Sequence, residues 1–309
     1  MKNKKVTNKE IVRKILAKAE HSLSINEVSS LTGLKKAQVR NTANYYGSEI
    51  VPVGRGKIDL LTRAYKGRGL RVTPTGQDIE AGIVHSDELS IYLWPFQIKE
   101  AIAISEEGEK FTLKKKFGVS DGQSLISGFS RWHQMINFQV GDDIIFRCCN
   151  LENQKFNIFR LPSRKRSEEE ITCKNFQLGE MIYNFLKYTP NKFEHLYFLA
   201  RKSLLRDLYL DEILPDELFR VLSKGKYLFV LEKKYGKASF LGVGIKKYFH
   251  SCKGEYHLVS ILEDEILGKH GYCPECKSLM VWDKKRGWRS AREDEYFDLS
   301  LHKSFFKLK

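Results

Sequence analysis

"SINEVSSLTGLKKAQVRNTANYYG" spans Ser24–Gly47, and two short blocks with helical spacing flank its Leu31–Leu34 hinge. The first block opens with Ser24 and carries Glu27 three residues on. That is the spacing of a capping box, in which hydroxyl and carboxylate satisfy backbone amides that a helix start leaves orphaned. Thr7 and Glu10 repeat the device upstream. The pattern predicts helices over about 8–20, 25–32 and 35–46, with Ile11, Ile15, Leu16 and Ala19 on one face of the first. Gly33 stands where the turn between the second and third helices needs a positive φ. In the third helix Val39, Thr42, Ala43 and Tyr46 form an inward stripe. Lys36, Gln38, Arg40, Asn41 and Asn44 then fall on other faces, where such side chains can hydrogen-bond base edges or hold phosphates.

Working outward, "EIVPVGRGKIDLLTRAY" (Glu49–Tyr65) and "KGRGLRV" (Lys66–Val72) read as a two-stranded basic hairpin with its turn at Gly54 to Gly56. Three capped helices followed by such a hairpin resemble the winged helix-turn-helix family, over about 70 residues. The resemblance implies double-stranded DNA as the partner, with the third helix in the major groove and the wing on the backbone. Arg55, Lys57 and Arg68 are then the phosphate contacts. A winged helix that binds another protein is the competing reading, and a homodimer stays open because palindromic sites mirror two-fold symmetry.

Bulk properties agree with a polyanionic partner. The 309 residues carry a formal net charge of +15, and 42% of them are hydrophobic. Residues 1–80 hold sixteen Lys and Arg against seven Asp and Glu. Nucleic acid ranks ahead of acidic lipid, and a merely solvated basic surface is the bland alternative. No run approaches the roughly 18 apolar residues of a membrane-spanning helix. "MKNKKVTNKE" lacks the apolar stretch of a secretory signal, so a soluble cytoplasmic protein is expected. Six cysteines at irregular spacing fit reduced thiols, with or without a metal, better than a disulfide scaffold.

The sharpest composition break is "LPSRKRSEEEIT", Leu161–Thr172, and a softer one is Tyr65–Asp78. The domains expected are 1–78, 79–165 and 172–309. In the middle region short β-rich runs alternate with Gly, Asp and Asn. Phe129 and Trp132 precede a Gly141-Asp142 turn, then strands at Ile144–Phe146 and Phe156–Phe159. This layout resembles the closing portion of the B-three-type DNA-binding pseudobarrel of plant transcription factors and some restriction endonucleases. On that resemblance Lys114–Lys116 and Arg131 lie near phosphates; the lysines equally suit a solvated edge that discourages strand pairing. The early part of the region does not match the family pattern.

Two constellations stand in the last region. Asp216, then an apolar strand delivering Glu232 and Lys234, has the layout of PD-(D/E)XK nucleases, and Glu180 could assist from an upstream helix. Such carboxylates hold Mg²⁺ while the Lys orients the attacking water. Glu-x-Lys recurs at Glu275–Lys277, however, and Asp216 equally suits a helix cap. The second constellation is Cys273-Pro-Glu-Cys276, the shape of a zinc knuckle. Cys252 with His257 (or His250 or His270) could complete a tetrahedral zinc site. No nucleophile-elbow or phosphate-cradling glycine motif is present. The expected fold class is α+β and multidomain: a winged helix, a small β-barrel-like domain and a mixed α/β domain with a zinc knuckle. The expected function is sequence-selective binding of double-stranded DNA, with a Mg²⁺-dependent restriction-type endonuclease as the alternative.

Overall fold

The computed structural model describes residues 6–43, 49–54, 56–86, 100–117, 124–150, 154–189, 193–224, 229–234, 240–245, 249–252, 255–264, 268–273, 275–276, 278–283 and 287–292. The chain forms two compact units, residues 1–178 with 200–218, and residues 179–199 with 219–309.

The first unit begins with α1 (Asn8–Lys18), β1 (Leu23–Ser24), α2 (Ile25–Thr32), α3 (Lys36–Ala43), β2 (Ile50–Gly54) and β3 (Lys57–Leu60). Both capping boxes form: Thr7 and Glu10 exchange bonds at α1, as do Ser24 and Glu27 at α2. Gly33 ends α2 with φ +72°, the left-handed conformation that glycine adopts without a Cβ penalty. Val12, Leu16, Val28, Val39, Ile50 and Ile58 are buried together at 1% exposure or less, so one apolar core joins the helices to the small sheet. The sheet has the order β1-β3-β2 and is antiparallel.

The second wing segment departs from the expectation. Lys66–Val72 does not return to β2 or β3. Gly69–Val72 forms β4 and pairs with β9 (Asp143–Asn150), so it belongs to the next sheet. Within the described residues the hairpin is β2–β3, and residues 1–178 belong to one compact unit. All four residues of β4 are buried, and Leu70 and Val72 pair with residues some 75 positions along the chain. Local pattern alone cannot choose between two available partners.

That next sheet has seven strands in the order β4-β9-β10-β6-β7-β8-β5. Its other members are β5 (Ile83–His85), β6 (Glu100–Ser105), β7 (Lys110–Phe117), β8 (Ser124–Ser127) and β10 (Lys155–Leu161). Among the described residues of this sheet, β10 and β6 are the one pair that runs parallel. The two edge strands, β4 and β5, are consecutive in the chain and joined through α5 (Gly76–Ala81), so the sheet curls into a nearly closed barrel. A second short helix, α6 (Ser130–Met135), carries Trp132 into the interior beside Phe129 and Phe138, and Phe129 meets Phe146 edge-on. Gly128 (φ +115°) precedes it, and a Cβ there would stand 2.4 Å from the Thr112 carbonyl oxygen.

The Gly141-Asp142 turn has a structural task. Asp142 accepts the N–H groups of Gln139 (3.0 Å) and Ser163 (2.8 Å) and the Arg160 guanidinium (2.6 Å). Burial alone would push this carboxyl up, but those donors outweigh it and hold it below the usual range.

Residues 161–172 are not a linker in this fold. After Pro162 a short 3-10 turn leads into α7 (Glu168–Lys187), and residues 200–218 return to the first unit. They cover the outer face of β4 and β9. Arg71 on β4 meets Asp143 on β9 (2.9 Å) and Asp216 (2.7 Å), all three nearly fully buried. Asn175 of α7 closes the cluster by donating to the other Asp216 oxygen (2.8 Å).

The second unit has a three-stranded antiparallel sheet of β11 (Phe193–His195), β13 (Phe240–Ile245) and β12 (Phe229–Lys234), in that order. It also has a hairpin, β14 (Phe249–Cys252) with β15 (Glu255–Leu258), and a meander from β16 (Ser260–Asp264) through β17 (Gly268–Tyr272) and β18 (Leu279–Asp283) to β19 (Gly287–Ser290). Among the described residues no helix is long and apolar enough to cross a membrane.

Candidate nucleic-acid interface

Within the described residues the inner side of the third helix is set by three residues, and Tyr46 lies outside them. Val39, Thr42 and Ala43 are buried, while Lys36, Gln38, Arg40 and Asn41 are exposed. Thr42 donates to the Val39 carbonyl at 2.7 Å, which removes its hydroxyl from solvent duty. Gln38 is partly committed to its own helix, because its carboxamide oxygen accepts the Lys35 N–H at 2.9 Å. Its NH₂ group is therefore the end that can read an acceptor. Asn44 and Arg55 lie outside the described residues.

An open groove of about 390 Å³ runs between the start of α1 and α3, lined by Thr7, Asn8, Lys9, Gln38, Asn41 and Thr42. Lys57, at the start of β3, is exposed and pairs with Ser24, so it sits where the hairpin meets the head of α2.

Arg68 is placed differently from the expectation. Its Nε donates to the Ala64 carbonyl at 2.7 Å, one terminal nitrogen reaches the Arg206 carbonyl, and Asp207 lies 3.8 Å away. Its side chain is mostly buried, and burial lowers the guanidinium pKa. It fastens the chain rather than facing a phosphate.

On the barrel, Lys114 lies on β7 opposite Glu100, with Nζ 3.3 Å from the carboxylate and both side chains exposed. Arg131 at the start of α6 is exposed and 3.5 Å from Glu109. Lys115 continues the strand, and the side chain of Lys116 lies outside the described set. Surface pairs of this kind contribute about 0–1 kcal/mol and exchange readily for another anion.

The residues considered for chemistry fall in two different units. Asp216 belongs to the first unit, where Arg71 and Asn175 engage its two oxygens and its own N–H donates to Asn175. A carboxylate so enclosed serves as a structural counter-ion to Arg71. Glu180 is exposed on α7, while Glu232 and Lys234 occupy β12 opposite Gly242 and Phe240. All three of these lie in the second unit. The side chains of Glu232 and Lys234 are outside the described set. Arg71 and Asn175 are the residues sequence reasoning missed; the inward alternation of Leu70 and Val72 is the signal that Arg71 faces outward.

Cys273 and Cys276 stand on the β17–β18 connection, closed by the Cys273 N–H donating to the Ser278 carbonyl at 3.0 Å. Cys273 is fully buried among Val259, Met280 and Trp288, with Cys276 packed against the same cluster. As a donor set for zinc this is two thiols on a tight turn. Cys252 ends β14 and His257 lies on β15 opposite His250, and their side chains lie outside the described residues. Among the described residues no group of three ligating side chains converges.

No known protein family matches the chain, and no curated protein matches it. Among solved structures, it is similar to an Arabidopsis FUS3–DNA complex at 11% identity and a TM-score of 0.26, over 30% of this chain and 96% of that one. It is also similar to a hypothetical Arabidopsis thaliana protein at 11% identity and a TM-score of 0.24, over 31% of this chain and 92% of that one.

Proposed function

We propose that the chain binds double-stranded DNA, reading it with α3 of an N-terminal winged helix and gripping it further with the seven-stranded barrel, a B-three-type pseudobarrel. The observation that carries this is the division of α3. Its apolar side locks into the core through Val39, while Lys36, Gln38, Arg40 and Asn41 are exposed, and Gln38 and Asn41 line the groove at the start of α1. Cationic and amide side chains on one helix suit phosphate oxygens and base edges. The net charge of +15 supplies the long-range attraction. The FUS3 complex named above contains DNA, which accords with the barrel as a second contact surface.

The test is fluorescence anisotropy of the full chain with labelled duplexes across a salt series. The logarithm of the affinity should fall linearly with the logarithm of salt concentration, with a slope set by the number of phosphates neutralised. A flat response would instead identify the module as a protein-binding winged helix.

A further inference from the structure

We infer that the three-helix module and the barrel act as one composite reader with a fixed spacing, because the junction between them is a rigid splice and not a tether. This rests on the DNA-binding reading of both modules. β3 ends at Leu60 and β4 begins at Gly69, and the residues between are held from both sides. α4 (Leu61–Ala64) starts with the Leu61 N–H donating to the Glu49 carbonyl at 2.7 Å. Arg63 then reaches back: its guanidinium donates to Asp59 and to the carbonyls of Leu16, Ala19 and His21, at the end of α1 and just beyond it. Each of those acceptors belongs to the helical module.

The other half of the splice is fastened to the barrel side. The Gly67 N–H donates to the Cys148 carbonyl at 2.7 Å, and the Cys148 N–H donates to the Arg68 carbonyl at 2.9 Å. Arg147, beside it on β9, donates to the Gly67 carbonyl at 3.2 Å. Gly67 has φ +79°, which bends the chain into β4. Tyr65 is 1% exposed, and its hydroxyl donates to the Arg201 carbonyl. Arg68 binds the Ala64 and Arg206 carbonyls. Arg63 and Arg68, five residues apart, thus clamp the same short connector to opposite modules.

A flexible connector would let each module find its own subsite, with the separation free to vary. A splice removes that freedom. Each base pair inserted between two subsites rotates one against the other by on the order of 35° and shifts it by about 3.4 Å. A clamped pair of modules cannot follow. Arg63 and Arg68 are positioning residues here: they touch no DNA yet set which DNA can be bound.

The experiment selects tight binders from random-sequence duplexes several helical turns long, using the full chain, and then varies the spacing of the best one. The expected result is two sequence blocks at one spacing, with affinity falling about tenfold or more when two base pairs are inserted between them. Equal affinity within about twofold at every spacing overturns the inference while leaving DNA binding intact. A single block, with flanks irrelevant, overturns it too. Failure to retain any duplex even at low salt removes the underlying reading instead. The double variant Arg63→Ala/Arg68→Ala, with its folding checked by circular dichroism, should accept the inserted spacings that the natural chain rejects. Unchanged spacing preference in a folded double variant also overturns the role assigned to these two residues.

Discussion

The carboxylate of Asp142 accepts the backbone N–H of Ser163 at 2.8 Å, tying the turn before β9 to the residue that follows Pro162 after β10. The same group accepts Arg160 and Gln139, and together these donors hold its pKa below the ordinary carboxylate range despite burial. A depressed folded-state pKa means that the unfolded chain binds the proton more readily. The stability so contributed is complete above the unfolded value of about 3.9 and is lost as pH falls through the lower, folded value. Urea unfolding from pH 7 down to pH 2 should therefore show an acid-side decline that is weaker in Asp142→Asn. At pH 7 the variant should be less stable by about 2 kcal/mol, the range for a hydrogen bond to a charged group.

The cluster of Arg71, Asp143 and Asp216 separates a structural from a catalytic role. Asp216→Ala leaves Arg71 with one carboxylate in a buried setting, which should cost about 3 kcal/mol, the lower end for breaking a buried pair because Asp143 remains. Thermal unfolding measures this directly. If Asp216 instead served as a metal-bound catalytic carboxylate, the variant would keep its stability and lose Mg²⁺-dependent DNA cutting.

The approach of Gly128 to Thr112 predicts a large effect from a small change. Gly128→Ala places a methyl group 2.4 Å from a backbone oxygen at a φ of +115°. Backbone strain and overpacking add, so a loss of roughly 3 kcal/mol is expected. The same substitution at Gly108, where nothing lies within 4 Å, keeps only the backbone part of the cost. Paired chemical denaturation curves resolve the two.

For the interface, Lys57→Ala should weaken binding to every duplex alike and lower the salt slope by about one. Asn41→Ala should relax sequence preference at one position, with a cost of about 1–3 kcal/mol on the preferred duplex and little on others. Anisotropy with matched and mismatched duplexes distinguishes these patterns.

Legibility in the sequence followed the range of the interactions. The starts of α1 and α2 could be read because Thr7–Glu10 and Ser24–Glu27 are neighbours, and the αL turn at Gly33 is equally local. The inner stripe of α3 needed only the helical period, and Val39, Thr42 and Ala43 are buried accordingly. The destination of Lys66–Val72 was not legible, because β4 finds its partner at Ile144–Arg147 and not in the adjacent hairpin. The Arg71 and Asn175 partners of Asp216 were not legible for the same reason: a carboxylate after a proline looks the same whether it faces solvent or Arg71. The charged stretch at 161–172 looked like a linker by composition, yet Arg166 pairs with Asp143 and Ser163 with Asp142. Composition reports polarity, and polarity here is spent inside.

The cover that residues 200–218 lay over β4 and β9 has a consequence for how the molecule is made. All seven barrel strands have been synthesised by Leu161, but the Asp216 partner of Arg71 is added more than fifty residues later. At a synthesis rate of roughly 5–20 residues per second, the nascent barrel waits several seconds with its outer face uncapped. Gly69 and Arg71 meet Leu214 and Asp216 only after that delay. The last step in forming the first unit is thus timed by the ribosome. A gene fragment cut at the end of the barrel would leave that step undone.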